Sequence, residues 1–419
     1  MNKSVHLAVL TGVLLSQGAM ARVIYGDDHR KEVSDATVFQ QKLATSAATM
    51  ISENEMTTDE SKPGVVQLSQ RTLRNWLEAQ FEEDKKVEKL FSAKVREAAK
   101  EGVTFCEGER FTEQPNPGMC SGFLIAPDLI MTAGHCVEMP TFCSEYRWVF
   151  GFQVDPKTNK AGVDIKNEDI YKCKKVVSNA LNGALGLDYA IVQLDRAVSG
   201  REPLEIRNNS NIQNGTQLVV IGSPSGLPLK VADGASVRKN THPNYFSANL
   251  DTFQGNSGSA VFNAETGVVE GILVRGENDF VANKVKMCIE ANKCADGACR
   301  GEDVSRLTSI PEVSVQVALN KAASTGDLVT MERILKLNLW VDFYGKDGQS
   351  ALMKAAIAGQ TKAMEILIKK GADINLKDAK GNTAATLALK YKKMSAVKLL
   401  VDAGAQVPTK EIVQKVTKN

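Results

Sequence analysis

What the chain lacks narrows it first. No apolar run in its 419 residues is long enough to cross a bilayer, and the best candidate, Leu7–Leu15, covers only nine positions. A span takes roughly 20 residues, so no membrane span is expected. Charge of one sign is also missing: 51 basic residues against 49 acidic leave +2, which argues against nucleic-acid binding as the main role. Histidine is scarce. There are four, and His6 falls at the extreme N-terminus, leaving His29, His135 and His242.

The C-terminal hundred residues have no cysteine. All eight (Cys106, Cys120, Cys136, Cys143, Cys173, Cys288, Cys294 and Cys299) lie earlier, and an even set clustered this way suggests disulfides made in an oxidising compartment. Cys288, Cys294 and Cys299 are separated by five and then four residues with no histidine following, a spacing that fits no common zinc motif. Neither a metal nor a cofactor is expected.

The first residues have the layout of a signal peptide: Lys3, the apolar run, and the small-residue site Ala19-Met20-Ala21. Cleavage near Ala21 would release an exported, soluble chain beginning near Arg22. That chain exceeds the usual domain of about 100–200 residues, so two domains are expected.

Three stretches carry chemistry. Gly255-Asn256-Ser257-Gly258-Ser259 sets a serine between glycines, which suits a tight turn where backbone approaches a substrate closely. The same composition serves a plain loop between strands. Upstream, two apolar strands flank Ala126-Pro127-Asp128, and the second delivers His135 between Cys120 and Cys136. Asp188 opens the apolar strand Leu187–Leu194, where a buried carboxylate would fix the tautomer of His135.

In this order, His135, Asp188 and Ser257 resemble the chymotrypsin-fold (trypsin-like) serine proteases, and Gly255–Phe262 resembles the bacterial glutamyl-endopeptidase-like branch in particular. Val23–Arg30 is similar to the mature amino terminus of that branch. The resemblance covers roughly residues 23–307. It implies a two-barrel antiparallel β-domain, a Ser257–His135–Asp188 triad, an oxyanion hole from the Gly255 and Ser257 amides, and a Cys120–Cys136 disulfide. The other six cysteines allow 15 pairings. A secreted or periplasmic bacterial location follows from the leader and the resemblance together.

The same resemblance places a substrate pocket near Asp251, Thr252, Leu273 and Arg275. Asp251 sits where trypsin-like enzymes seat the floor of a Lys/Arg pocket, whereas Leu273 replaces the histidine of glutamyl enzymes, so the side-chain preference stays open. Asn256 stands where digestive proteases carry the aspartate that pairs with a freshly cut terminus. An activation switch of that kind is therefore not expected.

Residues 53–102 look foreign to the protease pattern. Leu73, Leu77, Phe81, Val87, Leu90, Phe91, Val95 and Ala98 recur at helical spacing, with Ser69 as a candidate cap and Gly102 as a stop. The spacing predicts one long helix or a helical hairpin, packed on the barrel or lying over the cleft as a lid.

Beyond about residue 310 a 33-residue repeat appears: Ala322–Gly326 returns as Ala355–Gly359, and Ile366–Asp373 as Leu399–Ala405. The period and residues resemble ankyrin repeats, three of them, with the outer two degraded as caps. From Asp342 onward 14 lysines face 7 acids, leaving −5 for the rest of the chain. The split suggests a basic module docking on an acidic one, or merely a solvated lysine face.

The sequence thus predicts a multidomain β + α chain: a leader (1–21), a protease domain (22–310, with a helical insertion at 53–102) and an ankyrin solenoid (311–419). The expected function is an exported serine endopeptidase acting on a protein or peptide substrate, with a protein partner on the repeats. The alternative is a catalytically silent protease-like scaffold that only binds protein.

Overall fold

The computed structural model describes residues 23–82, 104–208, 210–283, 285–337, 339–345, 348–378 and 380–407. The leader and the second half of the expected helical insertion, with its Gly102 stop, lie outside them.

Six antiparallel strands close the first barrel: β1 (Ala47–Ser52), β2 (Gly118–Ala126), β3 (Leu129–Thr132), β4 (Tyr146–Phe150), β5 (Ile170–Asn182) and β6 (Leu187–Leu194). Their order around the barrel is 1-2-3-6-5-4. Six more, β7 (Gln217–Gly222), β8 (Lys230–Lys239), β9 (Tyr245–Ala248), β10 (Ala260–Asn263), β11 (Val269–Arg275) and β12 (Glu302–Arg306), close the second in the same order. Arg30–Glu32 adds to β8 as a seventh strand at the end of the second sheet. The strands read as near-continuous apolar runs because one face fills a barrel and the other is covered by neighbouring structure. Trp148, Leu124 and Phe150 fill the first barrel, and Phe246, Leu218 and Leu273 the second. This is the chymotrypsin-like two-barrel architecture.

Four disulfides join Cys106–Cys288, Cys120–Cys136, Cys143–Cys173 and Cys294–Cys299. The second ties β2 to the segment that carries His135.

The insertion differs from its expected form. Its first part is an antiparallel hairpin, Met56–Thr58 with Val65–Leu68, turned at Pro63-Gly64 where Gly64 has φ +84°. The β-branched residues and the Pro-Gly turn outweigh the helical spacing, which begins only later. The helix runs Leu73–Glu82, capped by Thr72, whose Oγ1 accepts from Asn75 N–H at 3.1 Å, and not by Ser69. Leu73 and Leu77, one turn apart, bury themselves beside Ile24, Phe105 and Phe253.

The repeats form three helix pairs: α1 (Pro311–Thr325) with α2 (Leu328–Leu335), α3 (Ala351–Ala358) with α4 (Thr361–Lys369), and α5 (Ala384–Lys390) with α6 (Met394–Asp402). Gly326 and Gly359 end α1 and α3 in the left-handed conformation, at φ +75° and +77°. No linker separates repeats from barrels. Ile310, itself buried, precedes the Pro311 that starts α1, and Val313 and Leu319 share one apolar core with the first barrel. Glu312, buried in the first turn of α1, interacts with the phenol of Tyr189 on β6.

The described lysines of the repeats are mostly exposed, as a solvated face has them, while the junction with the barrels carries other charges. On the repeat side are Asp342 and Asp373, facing Asp128 and Lys175 of the first barrel. The Asp342 carboxylate accepts the Asp373 N–H at 3.0 Å, and burial pushes its pKa up to about 6. The folded-state value lies above the unfolded one of about 3.9, so ionised Asp342 costs stability above pH 6, and the cost fades as pH falls toward 4. Asp342→Asn, which keeps an acceptor for that N–H, should be more stable than the parent at pH 8 by about 3 kcal/mol. Denaturant titrations should show the advantage vanishing near pH 4.

Candidate active site

The loop Ala133–Cys136 leaves β3 as a short 3-10 turn, and one buried carboxylate organises it. Asp188 Oδ1 accepts the N–H groups of Gly134 (2.7 Å) and His135 (3.2 Å), while Oδ2 lies 2.9 Å from His135 Nδ1. With Nδ1 held by an acceptor, the ring carries its proton there, and Nε2 presents a lone pair. Nε2 is buried and makes no hydrogen bond to a described residue. Asp188 is also tied to the second barrel, its carbonyl accepting from Ser305 Oγ at 2.8 Å.

The serine turn meets this loop from the other barrel. Ser257 O accepts the Ser121 N–H at 2.7 Å and lies 3.8 Å from the Cys136 sulfur. Gly258 N–H donates to Leu273 O at 2.8 Å. Gly258 has φ +88°, and a Cβ there would lie 2.0 Å from Ser121 O and 2.2 Å from Thr132 Oγ1. Ser257 therefore sits one residue from a point of backbone contact with the strand leading to His135. The two residues come from segments 122 positions apart in the chain.

Gly255 adopts φ +92°, and a Cβ there would lie 2.5 Å from Ser223 O. Its carbonyl accepts from Ser121 Oγ at 2.8 Å. The preceding carbonyl, of Gln254, is occupied by the Ser225 N–H, so the trans peptide turns the Gly255 N–H to the opposite side. The Gly222–Gly226 turn thus packs directly against the serine turn. Ser121, which braces it, carries no signal in sequence beyond lying next to Cys120.

The residues expected to line a substrate pocket do not act together. Asp251 turns away: Oδ1 accepts Tyr25 N–H (2.7 Å), and Oδ2 accepts His29 N–H (2.9 Å) and lies 3.1 Å from His29 Nδ1. Burial raises its pKa, against those hydrogen bonds. Both carboxylate oxygens are thus engaged by the N-terminal segment. Thr252 Oγ1 donates to the buried Glu302 at 3.0 Å. Leu273 is fully buried and contributes its backbone, its N–H donating to Ser259 O at 3.0 Å. Arg275 shares Asp303 with Arg300, at 3.3 and 2.6 Å, so its charge is already paired. Asn256, buried, accepts from Ser259 Oγ at 3.3 Å.

Cys120, His135 and Cys136 have ligand atoms within 4.8 Å of one another, but both sulfurs are in one disulfide and offer no thiolate to a metal. Among the described residues no helix is long and apolar enough to cross a membrane.

Two barrels of identical connectivity, with a histidine–carboxylate pair on one and a serine turn on the other, define the class of trypsin-like peptidase folds. Residues 120–272 match the family model of the trypsin-like peptidase domain, and residues 319–411 that of ankyrin repeats in three copies. The chain therefore carries a trypsin-like peptidase domain followed by ankyrin repeats. No curated protein sequence matches it. Among solved structures it is similar to a Glu endopeptidase in complex with MPD, at 17% identity over 68% of this chain and 94% of that one, with a TM-score of 0.37. It is also similar to the Vibrio cholerae VesB protease, at 11% identity over 71% and 68%, with a TM-score of 0.38.

The contact at Gly258 yields a test. Gly258→Ala forces a Cβ into the Ser121 carbonyl oxygen and the Thr132 hydroxyl at a φ that alanine resists, so it should cost about 3 kcal/mol or more in stability. The thermal midpoint should fall by several degrees.

Proposed function

We propose that the protein is an exported serine endopeptidase, and that Ser257, His135 and Asp188 perform the chemistry. The observation that carries this reading is the Asp188 carboxylate, which holds both the backbone and the Nδ1 of His135 and leaves a bare, buried Nε2 beside the Ser257 turn. His135 takes the Ser257 hydroxyl proton as the oxygen attacks a peptide carbonyl. The tetrahedral oxyanion is received by the Gly255 and Ser257 amides, each donor worth about 3 kcal/mol in related sites. Collapse passes the proton from Nε2 to the leaving amine and leaves an acyl-enzyme. Water, deprotonated by the same nitrogen, attacks the acyl-enzyme, and collapse breaks the bond to Ser257 Oγ, which takes the proton back from Nε2 as the acid leaves. Asp188 stabilises the imidazolium throughout without taking the proton.

Four disulfides and the leader-like N-terminus support an oxidising, extracytoplasmic site of action. The repeats supply a surface for a protein substrate or partner, fixed to the peptidase domain through α1.

Ser257→Ala in the full chain should abolish labelling by a fluorophosphonate and cleavage of casein. Asp188→Asn should fold but lose about 10⁴ in kcat, because the ring loses its tautomer. Labelling that survives Ser257→Ala would end the assignment. A wild-type chain that folds but resists the probe would instead favour a silent, protein-binding scaffold.

A further inference from the structure

The loop that delivers Ser257 is held by a part of the chain more than 220 residues away. Three consecutive loop residues each contact the N-terminal segment Val23–Arg30. Asp251 receives the Tyr25 and His29 amides and the His29 ring, as described above. Thr252 N–H reaches Val23 O at 3.4 Å. The Phe253 ring lies under the Arg30 guanidinium, 4.1 Å from its centroid, and Arg30 is clamped in turn by Asp28 at 2.7 and 2.8 Å. The segment is anchored independently: Ile24–Tyr25 pairs in parallel with Lys293–Cys294, next to the Cys294–Cys299 disulfide.

The link onward to the nucleophile is short. Phe253 O accepts the Asn256 N–H at 3.0 Å, closing the turn that presents Ser257. Gln254 N–H donates to Asp279 at 2.8 Å. A shift of Phe253 is therefore a shift of Asn256, and Ser257 is covalently next.

We infer that Asp251 is a positioning residue, which clamps segment Val23–Arg30 onto the loop and so sets the geometry of Ser257, and is not a group that meets the substrate. The inference rests on the serine-peptidase reading for its kinetic part and stands apart from it for its structural part. The clamp uses internal backbone amides and a histidine ring, so it needs no free α-amino group. It is complete as soon as the segment docks.

The test uses the full-length mature chain with Asp251→Ala and Asp251→Asn, and with Lys62→Ala, an exposed ion-pair residue, as control. A small fluorophosphonate reports the nucleophile without engaging a side-chain pocket. Its second-order labelling rate should fall about 10²-fold in Asp251→Ala, the scale of a 1 Å misplacement. It should recover in part in Asp251→Asn, which can still accept from the Tyr25 or His29 amide, and stay unchanged in the control. With a peptide ester, kcat should carry the loss and KM should move less than threefold. Labelling at the parent rate, with a raised KM confined to substrates with basic side chains, would overturn the inference and return Asp251 to a pocket.

Hydrogen exchange at Asn256 and Ser259 provides a readout that needs no activity. It should quicken at least tenfold in Asp251→Ala, and unchanged exchange in a folded variant would overturn the clamp even if the parent were catalytically silent. Should Asp251→Ala not fold, His29→Ala removes only the ring contact. It should slow labelling three- to tenfold and quicken the same exchange, and no change in either would overturn the proposal.

Discussion

The site hangs on one buried carboxylate. Asp188 sits at the start of β6, and its two oxygens satisfy three donors from a single short turn, two of them backbone. Burying a charge is costly unless it is fully hydrogen-bonded, and here that requirement dictates the path of the chain through Gly134 and His135. The imidazole is placed because its own backbone is placed. The Ser305 bond to the Asp188 carbonyl extends the constraint into the second barrel, from which the serine turn arrives. Rigid strands position both halves, and the gap between the barrels brings them together.

Much of this was legible in the sequence, for reasons that differ by element. Ser257 and Gly255 stand out because glycine at positive φ is a backbone requirement that leaves a written mark. The repeats stand out because stacking demands the same small residues at the same 33-residue interval. Asp251 misleads: its distance before Ser257 suggests a pocket floor, but spacing along a chain says nothing of which way a carboxylate turns. That depends on Tyr25 and His29, which only folding brings near. The hairpin at 56–68 was hidden for a related reason, since the helical spacing that follows it is real but starts at Leu73. Ser121 and Glu302 were invisible, because a polar residue in a strand shows its partner only in three dimensions.

The junction with the repeats is not where the lysine excess of that module goes. From Asp342 onward the lysines allowed a basic face seeking an acidic one or a solvated face, and most of the described ones are exposed, whereas the seam brings Asp342 and Asp373 of the repeats beside Asp128 and Lys175 of the barrel. Bulk composition reports on what water sees. The few groups removed from water at a seam are chosen by local geometry, and Asp342, with its raised pKa, shows that the choice is not free of cost.

One helix, α1, packs against the closed first barrel through Val313 and Leu319 and is also the opening helix of the solenoid. Its Glu312 touches Tyr189, the neighbour of Asp188. A tether would absorb any tug on the solenoid, but a shared rod has no slack. The outer repeats are therefore joined through packed helices, with α1 as the last of them, to the strand that carries Asp188.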